Sequence, residues 1–256
     1  MMKLFKLSCL LFLIASCQQD PTTEKTIVVH DTTHLQDTVI FIKDSAMEAA
    51  FADSLPSGAY QGMYPCKGCE GIQQTILFTD DKKYRLEEVA WGKTGGAKKS
   101  EGIWERKNGL IWLYQPGRTP LRFFLKKDSL YTDSLQYALG KKQLANTNAA
   151  WQQKAKDGID FLAIGNEPFW NAEIDDQREI KFRLADWNKP IIVPVKQPLV
   201  NKDSTVYKLS SGNNPLVITI LPEFCSDGMS DFLYQYKVRV NYKGVSYNGC
   251  GIKLGK

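Results

Sequence analysis

The chain has 256 residues, with 33 Lys and Arg against 28 Asp and Glu, a formal net charge of +5 and 43% hydrophobic residues. That apolar content is enough to fill the cores of two small domains, and so slight a basic excess gives no argument for a nucleic-acid partner. The two histidines, His30 and His34, both precede the first glycine-punctuated strand, which excludes a Ser-His-Asp triad, a Cys-His pair or a histidine-ligated zinc from the globular part unless the preceding stretch folds back into it.

In chain order, residues 1–16 read as an export signal. Lys3 and Lys6 form its charged start, and Leu7 to Ser16 its short apolar run. The run falls well below the roughly 20 residues that a membrane-spanning helix needs. It ends in Ile14-Ala15-Ser16-Cys17, which resembles the lipobox of bacterial lipoproteins, so Cys17 is the expected lipidated first residue of the mature chain. Loss of Lys3 and Lys6 with the signal takes the formal charge from +5 to +3. Gln18 occupies the position where Asp commonly retains lipoproteins in the inner membrane, so a lipid-anchored outer-membrane location is expected, facing the periplasm or the surface. Residues 17–56 then form a polar, Thr-rich stalk. His30 and His34 share a face only in a helix, and the β-branched residues around them disfavour one; they are read as solvated.

From residue 57 to about 138 the sequence is a series of short β-prone segments: Gly58 to Tyr64, Gln73 to Thr79, Lys83 to Trp91, Ser100 to Glu105, Leu110 to Gln115, Leu121 to Leu125 and Leu130 to Thr132. Asp80-Asp81, Lys107-Asn108-Gly109, Gln115-Pro116-Gly117 and Lys127-Asp128 punctuate them. Close antiparallel strands at this spacing predict a meander curled into a small barrel, with an interior open to a carrier role for an apolar ligand. Lys93, Lys98 and Lys99 are read as a solvated basic hairpin tip.

Between the first two strands lies Pro65-Cys66-Lys67-Gly68-Cys69-Glu70-Gly71. Once Cys9 leaves with the signal and Cys17 is lipidated, four cysteines remain. In an oxidising envelope they suggest two disulfides, with sequence proximity favouring Cys66 with Cys69 and Cys225 with Cys250. Reduced, Cys66 and Cys69 offer two soft thiolates suited to Cu(I). Met63 adds a third candidate ligand as M-x-x-C-x-x-C, its alternative being a wall residue of its strand. Lys67 favours thiolate, so disulfide exchange is a further possibility, although the motif leads into a strand rather than the helix that oxidoreductases use.

The stretch Gly58-Ala59-Tyr60-Gln61-Gly62, Pro65-Cys66 to Cys69, Gly71-Ile72 and the amphipathic strand that follows resembles the N-terminal domain of the NlpE family. These are outer-membrane lipoproteins linked to copper tolerance, surface sensing and activation of the Cpx envelope-stress system. The resemblance implies a lipocalin-like barrel with the C-x-x-C at its rim, a non-enzymatic role in copper homeostasis or in sensing redox and surface stress, and an envelope sensor protein as partner. Family members commonly place Ala-Asp between the cysteines, where this chain has Lys67-Gly68.

Residues 139–158, polar with Trp151, read as a connector or short helix. From 159 to 256 a second run of β segments and turns predicts another antiparallel barrel or sandwich, making the chain all-β. Gly165-Asn166-Glu167-Pro168-Phe169-Trp170, Cys225-Ser226-Asp227-Gly228-Met229-Ser230 and Asn248-Gly249-Cys250-Gly251 resemble a group of bacterial envelope proteins of little-known role. A Cys225–Cys250 bond would be structural, closing a loop of about 25 residues and contributing roughly 3 kcal/mol. Glu167 and Asp227 form a candidate acid-base pair, with turn formation as their alternative role; Trp170 is expected in the core.

Overall fold

The computed structural model describes residues 55–132 and 136–255. The export signal, Cys17, His30, His34 and the stalk through residue 54 lie outside the described residues. Among those described, no helix is long and apolar enough to cross a membrane.

Eight strands form a closed antiparallel barrel in sequence order: β1 (Gly58–Tyr64), β2 (Gly71–Phe78), β3 (Lys83–Trp91), β4 (Lys98–Lys107), β5 (Leu110–Tyr114), β6 (Leu121–Lys126), β7 (Ser129–Thr132) and β8 (Ala138–Lys142). Closure comes from Ala59, Tyr60 and Gln61 of β1 pairing with Lys142, Lys141 and Gly140 of β8. Tight turns keep the strands adjacent. At Asn108-Gly109 both residues have positive φ (53° and 75°), the geometry that two-residue hairpins require and that Asn-Gly adopts most readily.

Two-residue alternation decides what enters the barrel. Tyr60, Ile76, Leu86, Ile111, Leu113, Phe123, Leu125, Leu130 and Leu139 are all buried in one cluster with Phe78, Tyr84 and Trp104. Phe78 meets Tyr60 and Trp104 edge-on, with ring centroids 5.7 Å apart in each pair. Each such side chain contributes about 1.5–3 kcal/mol by burial, so the interior is a packed core whose residues resist displacement by a guest.

Strand β8 runs through residues read from sequence as connector. Its composition, Ala-Leu-Gly-Lys-Lys, has weak β propensity. Only pairing on both sides, to β7 and β1, holds it extended. The connector proper is a short 3₁₀ turn at Ala145–Thr147 and helix α1 (Ala149–Lys156), N-capped by the Asn148 side chain, which accepts from the Ala150 amide at 2.9 Å.

The remaining strands are β9 (Phe161–Asn166), β10 (Phe169–Ile174), β11 (Glu179–Leu184), β12 (Ile191–Pro194), β13 (Leu199–Asn201), β14 (Ser204–Ser211), β15 (Asn214–Leu221), β16 (Tyr236–Tyr242) and β17 (Val245–Lys253). They form one antiparallel half-barrel in the order β12-β11-β10-β9-β17-β16-β15-β14-β13. Its concave side buries Trp170, Phe182, Tyr207, Ile218, Val240 and their neighbours. Its other side carries a second, smaller core, where Leu162, Cys250 and Ile252 are covered by Trp151 of α1 and by Phe232 and Tyr234 of the β15–β16 connection.

That connection also grips the barrel. Ala59 and Leu77, pointing outward from β1 and β2, pack against Phe224 and Leu233. The Arg85 guanidinium lies 4.1 Å over the Phe224 ring and donates to the Gln235 carbonyl at 3.0 Å. Glu223 accepts from Lys99 at 2.9 Å and from Lys237 at 3.1 Å. Lys99 is therefore an interface residue rather than part of a solvated loop. At the centre, the Phe224 amide donates to the Glu87 carboxylate at 3.0 Å, and Glu87 is only 3% exposed.

Burial pushes the Glu87 carboxyl above its usual range, against the pull of the Phe224 amide, Lys237 and Arg85. A carboxyl raised in the folded state favours folding at low pH and loses that contribution as pH climbs from the unfolded to the folded value. Glu87→Gln keeps an acceptor for the Phe224 amide and removes the buried charge, so it should match or exceed wild-type stability at neutral pH in urea unfolding. Glu87→Ala leaves the amide orphaned and should cost about 1–3 kcal/mol.

Candidate functional site

The turn joining β1 and β2 carries both rim cysteines. Met63–Gln73 and Tyr64–Ile72 are the last paired positions of the hairpin, so residues 65–70 project from the end of the barrel. Strand direction places the β3–β4 and β5–β6 connections at the same end. Glu70 anchors the turn by donating its amide to the Trp91 carbonyl at 3.0 Å, and Gly68 takes a positive φ of 74°.

Cys66 and Cys69 are joined across this turn with Cα atoms 5.6 Å apart. Both are half-buried, with Lys67 and Gly68 between them exposed. No helix begins here; the thiols sit between two strands, without the helix N-terminus that lowers a thiol pKa in dedicated oxidoreductases. Met63 faces outward and is 50% exposed, its sulfur lying over Gly71, where a Cβ would meet it at 2.7 Å. It is thus a solvent-accessible thioether beside the turn, not part of the barrel interior. Among the described residues, no group of three or more His, Cys, Asp or Glu side chains is arranged to hold a metal ion. Soft-metal chemistry at the rim would therefore fall to the two cysteine sulfurs and Met63.

Beneath the turn, the mouth of the barrel is polar. Glu88 accepts from the Tyr64 hydroxyl at 3.2 Å and from the Gln74 side chain at 3.1 Å, and the Tyr64 ring lies 6.0 Å from that of Tyr137. Burial first, then the Glu88 charge, holds the Tyr64 hydroxyl protonated far above its ordinary range. A shallow pocket of about 390 Å³ opens here, lined by Tyr64, Gln74, Trp112, Arg122 and Thr132. Sequence reading missed this group. The signal was present in the β2–β3 register: centring the hairpin on Asp81 puts Gln74 opposite Glu88.

The second cysteine pair differs in its surroundings. Cys225 and Cys250 are bonded with Cα atoms 5.5 Å apart, and Cys250 is 2% exposed within the smaller core. Gly165 and Gly249 flank Trp170, whose indole N–H donates to the Asn248 carbonyl at 3.2 Å. A Cβ on Gly249 would meet the Trp170 ring at 2.7 Å, so glycine is needed for the ring to lie flat between the strands. Trp170 is in the core, 3% exposed.

Glu167 and Asp227 line one cleft, but their environments are unlike. Asp227 caps its own loop, accepting from the amides of Met229 (3.1 Å) and Ser230 (2.8 Å), from the Ser230 hydroxyl and from the Tyr234 hydroxyl at 2.9 Å. Burial raises its carboxyl, yet these donors outweigh burial and hold it below the ordinary range. Glu167 has no hydrogen bond or ion pair to the described residues and sits at the exposed tip of the β9–β10 hairpin. A saturated carboxylate and an exposed one do not make an acid-base pair.

A carboxyl lowered by folding stabilises above the unfolded pKa and loses that contribution as pH falls through its folded value. The loop at 225–230 should therefore weaken below about pH 4, where an unfolded Asp takes up its proton. Asp227→Asn should cost about 1–3 kcal/mol at neutral pH and flatten that acid limb, as read by urea midpoints across pH.

A sequence-family comparison matches residues 60–136 to the NlpE N-terminal domain. No curated protein matches the chain. Among solved structures, a candidate lipoprotein from Shewanella oneidensis is 23% identical over 34% of this chain and 88% of its own, with a TM-score of 0.29. The Cpx pathway activator NlpE from Escherichia coli is 12% identical over 78% of this chain and 92% of its own, with a TM-score of 0.28. Likenesses of that size carry no argument, and the similarity rests on the sequence match. Residues 60–136, which run from β1 through β7, are thus similar to the NlpE N-terminal domain.

Proposed function

We propose that this chain is a non-enzymatic lipoprotein, anchored through Cys17 in the bacterial outer membrane, that buffers or reports copper or thiol-redox state through Cys66 and Cys69. The observation that carries the reading is the position of the pair: half-exposed on a projecting turn at the rim of a domain of the NlpE N-terminal type. An envelope thiol reaches this bond easily. Reduction consumes two electrons and two protons and yields two thiols, and Cu(I) then displaces the thiol protons to bind two soft sulfurs. Met63, exposed beside Gly71, is the thioether proposed to join them. Lys67, exposed between the cysteines, favours the thiolate forms. Copper is cargo or signal in this account, and the partner that would read the change is an envelope sensor protein.

Two other readings fare less well. A carrier of an apolar ligand would need an open interior, whereas aromatic and aliphatic side chains pack this one. A thiol-disulfide enzyme would need a helix start beside its first cysteine, and the turn joins two strands.

In a Cu(I) titration of the reduced full chain, wild type should bind one ion tightly and the double variant Cys66→Ser, Cys69→Ser should lose that site. Met63→Leu should weaken it by roughly tenfold, about 1.4 kcal/mol, if the thioether ligates. Equal binding by wild type and the double variant would rule out the metal role.

A further inference from the structure

The half-barrel bears a cleft that the copper and redox reading does not use. It encloses about 770 Å³, within the span of small-ligand clefts. The convex side of β9, β17 and β16 forms its floor. The β9–β10 hairpin is one wall and the 225–229 loop the other. The floor presents Arg239 and Lys237, and the two walls present Glu167, Phe169 and Met229.

Phe169 is 54% exposed and Met229 is 70% exposed, two large apolar side chains lining one cleft, one from the hairpin and one from the loop. Arg239 donates through Nε to the Asn248 side chain at 3.2 Å and has no carboxylate partner among the described residues. Lys237 is held by Glu223, so Arg239 is the cation left for a ligand. The walls are fixed rather than loose. The disulfide ties Cys225 to the floor, Asp227 caps the loop, and the Asn166 side chain donates across the base of the cleft to the Asp227 carbonyl at 2.6 Å. A cleft already held in shape loses little entropy when it is filled.

We propose that this cleft is a docking site for an acidic polypeptide segment of a partner protein, with a carboxylate on Arg239 and an apolar side chain between Phe169 and Met229. Aromatic residues, methionine and arginine are the types enriched where proteins meet, and methionine re-packs readily around different side chains. An arginine without a carboxylate partner selects for one through paired, charge-assisted hydrogen bonds. Glu167, on the wall, would accept from the backbone N–H groups that a polypeptide supplies.

The test uses the full chain in neutral-lipid nanodiscs and a short labelled peptide alternating Asp with Leu and Phe, followed by fluorescence anisotropy. Saturable binding is expected, with loss when Lys replaces Asp in the peptide. Arg239→Glu should weaken it at least tenfold, about 1.4 kcal/mol, and Phe169→Ser and Met229→Ser severalfold each. All three side chains are exposed, and an unchanged amide spectrum for each variant ties the loss to the surface. Cys66→Ser with Cys69→Ser should bind the peptide normally, which separates this site from the rim. Absence of saturable binding, equal affinity for the Lys peptide, indifference to Arg239→Glu, or displacement of the peptide by phosphatidylglycerol would each overturn the proposal.

Discussion

The pairing of β1 with β2 is the constraint on which the rest of the molecule depends. Its register sets Tyr60, Gln74 and Ile76 inward and Ala59 and Leu77 outward. The inward set seeds the barrel core; the outward pair receives Phe224 and Leu233. The same hairpin, by ending at Tyr64 and Ile72, leaves residues 65–70 beyond the last pair and so puts Cys66 and Cys69 at the rim. A slip of one residue would exchange the two faces and destroy core and seam together.

The two cysteine pairs divide the chemistry between them. Cys225–Cys250 pins a long connection onto a sheet, inside a small core closed by Trp151 and Tyr234, and that connection in turn supplies the Glu223–Phe224 contact to the barrel. Structure at several levels leans on it. Cys66–Cys69 spans one turn, closes a loop too short to restrain the unfolded chain much, and supports no packing of comparable extent. A bond that carries little structure and meets solvent is free to change state without unfolding its host.

The rim motif, the strand segments and the second-half signatures were legible because each rests on local chemistry: alternation, turn residues and cysteine spacing. Elements that depend on distant partners were not. Strand β8 has an unpromising composition and exists because β1 and β7 close around it. The seam of Glu87, Arg85 and Phe224 joins residues more than a hundred positions apart, and nothing in Glu87 itself distinguishes it from the neighbouring Glu88, which faces the barrel mouth. Lys99 looked like one of three solvated lysines until Glu223 came within 2.9 Å. Asp227 and Glu167 looked alike as a pair; only the donors around Asp227 separate a loop cap from an exposed carboxylate.

The proposed role requires the rim bond to be the labile one of the two. Its most direct test is differential alkylation of the natively folded chain across increasing reductant, with each cysteine read by mass spectrometry. Cys66 and Cys69 should label together at low reductant while Cys225 and Cys250 stay protected until the fold is lost. Simultaneous labelling of all four, or earlier labelling of Cys225 and Cys250, would contradict it.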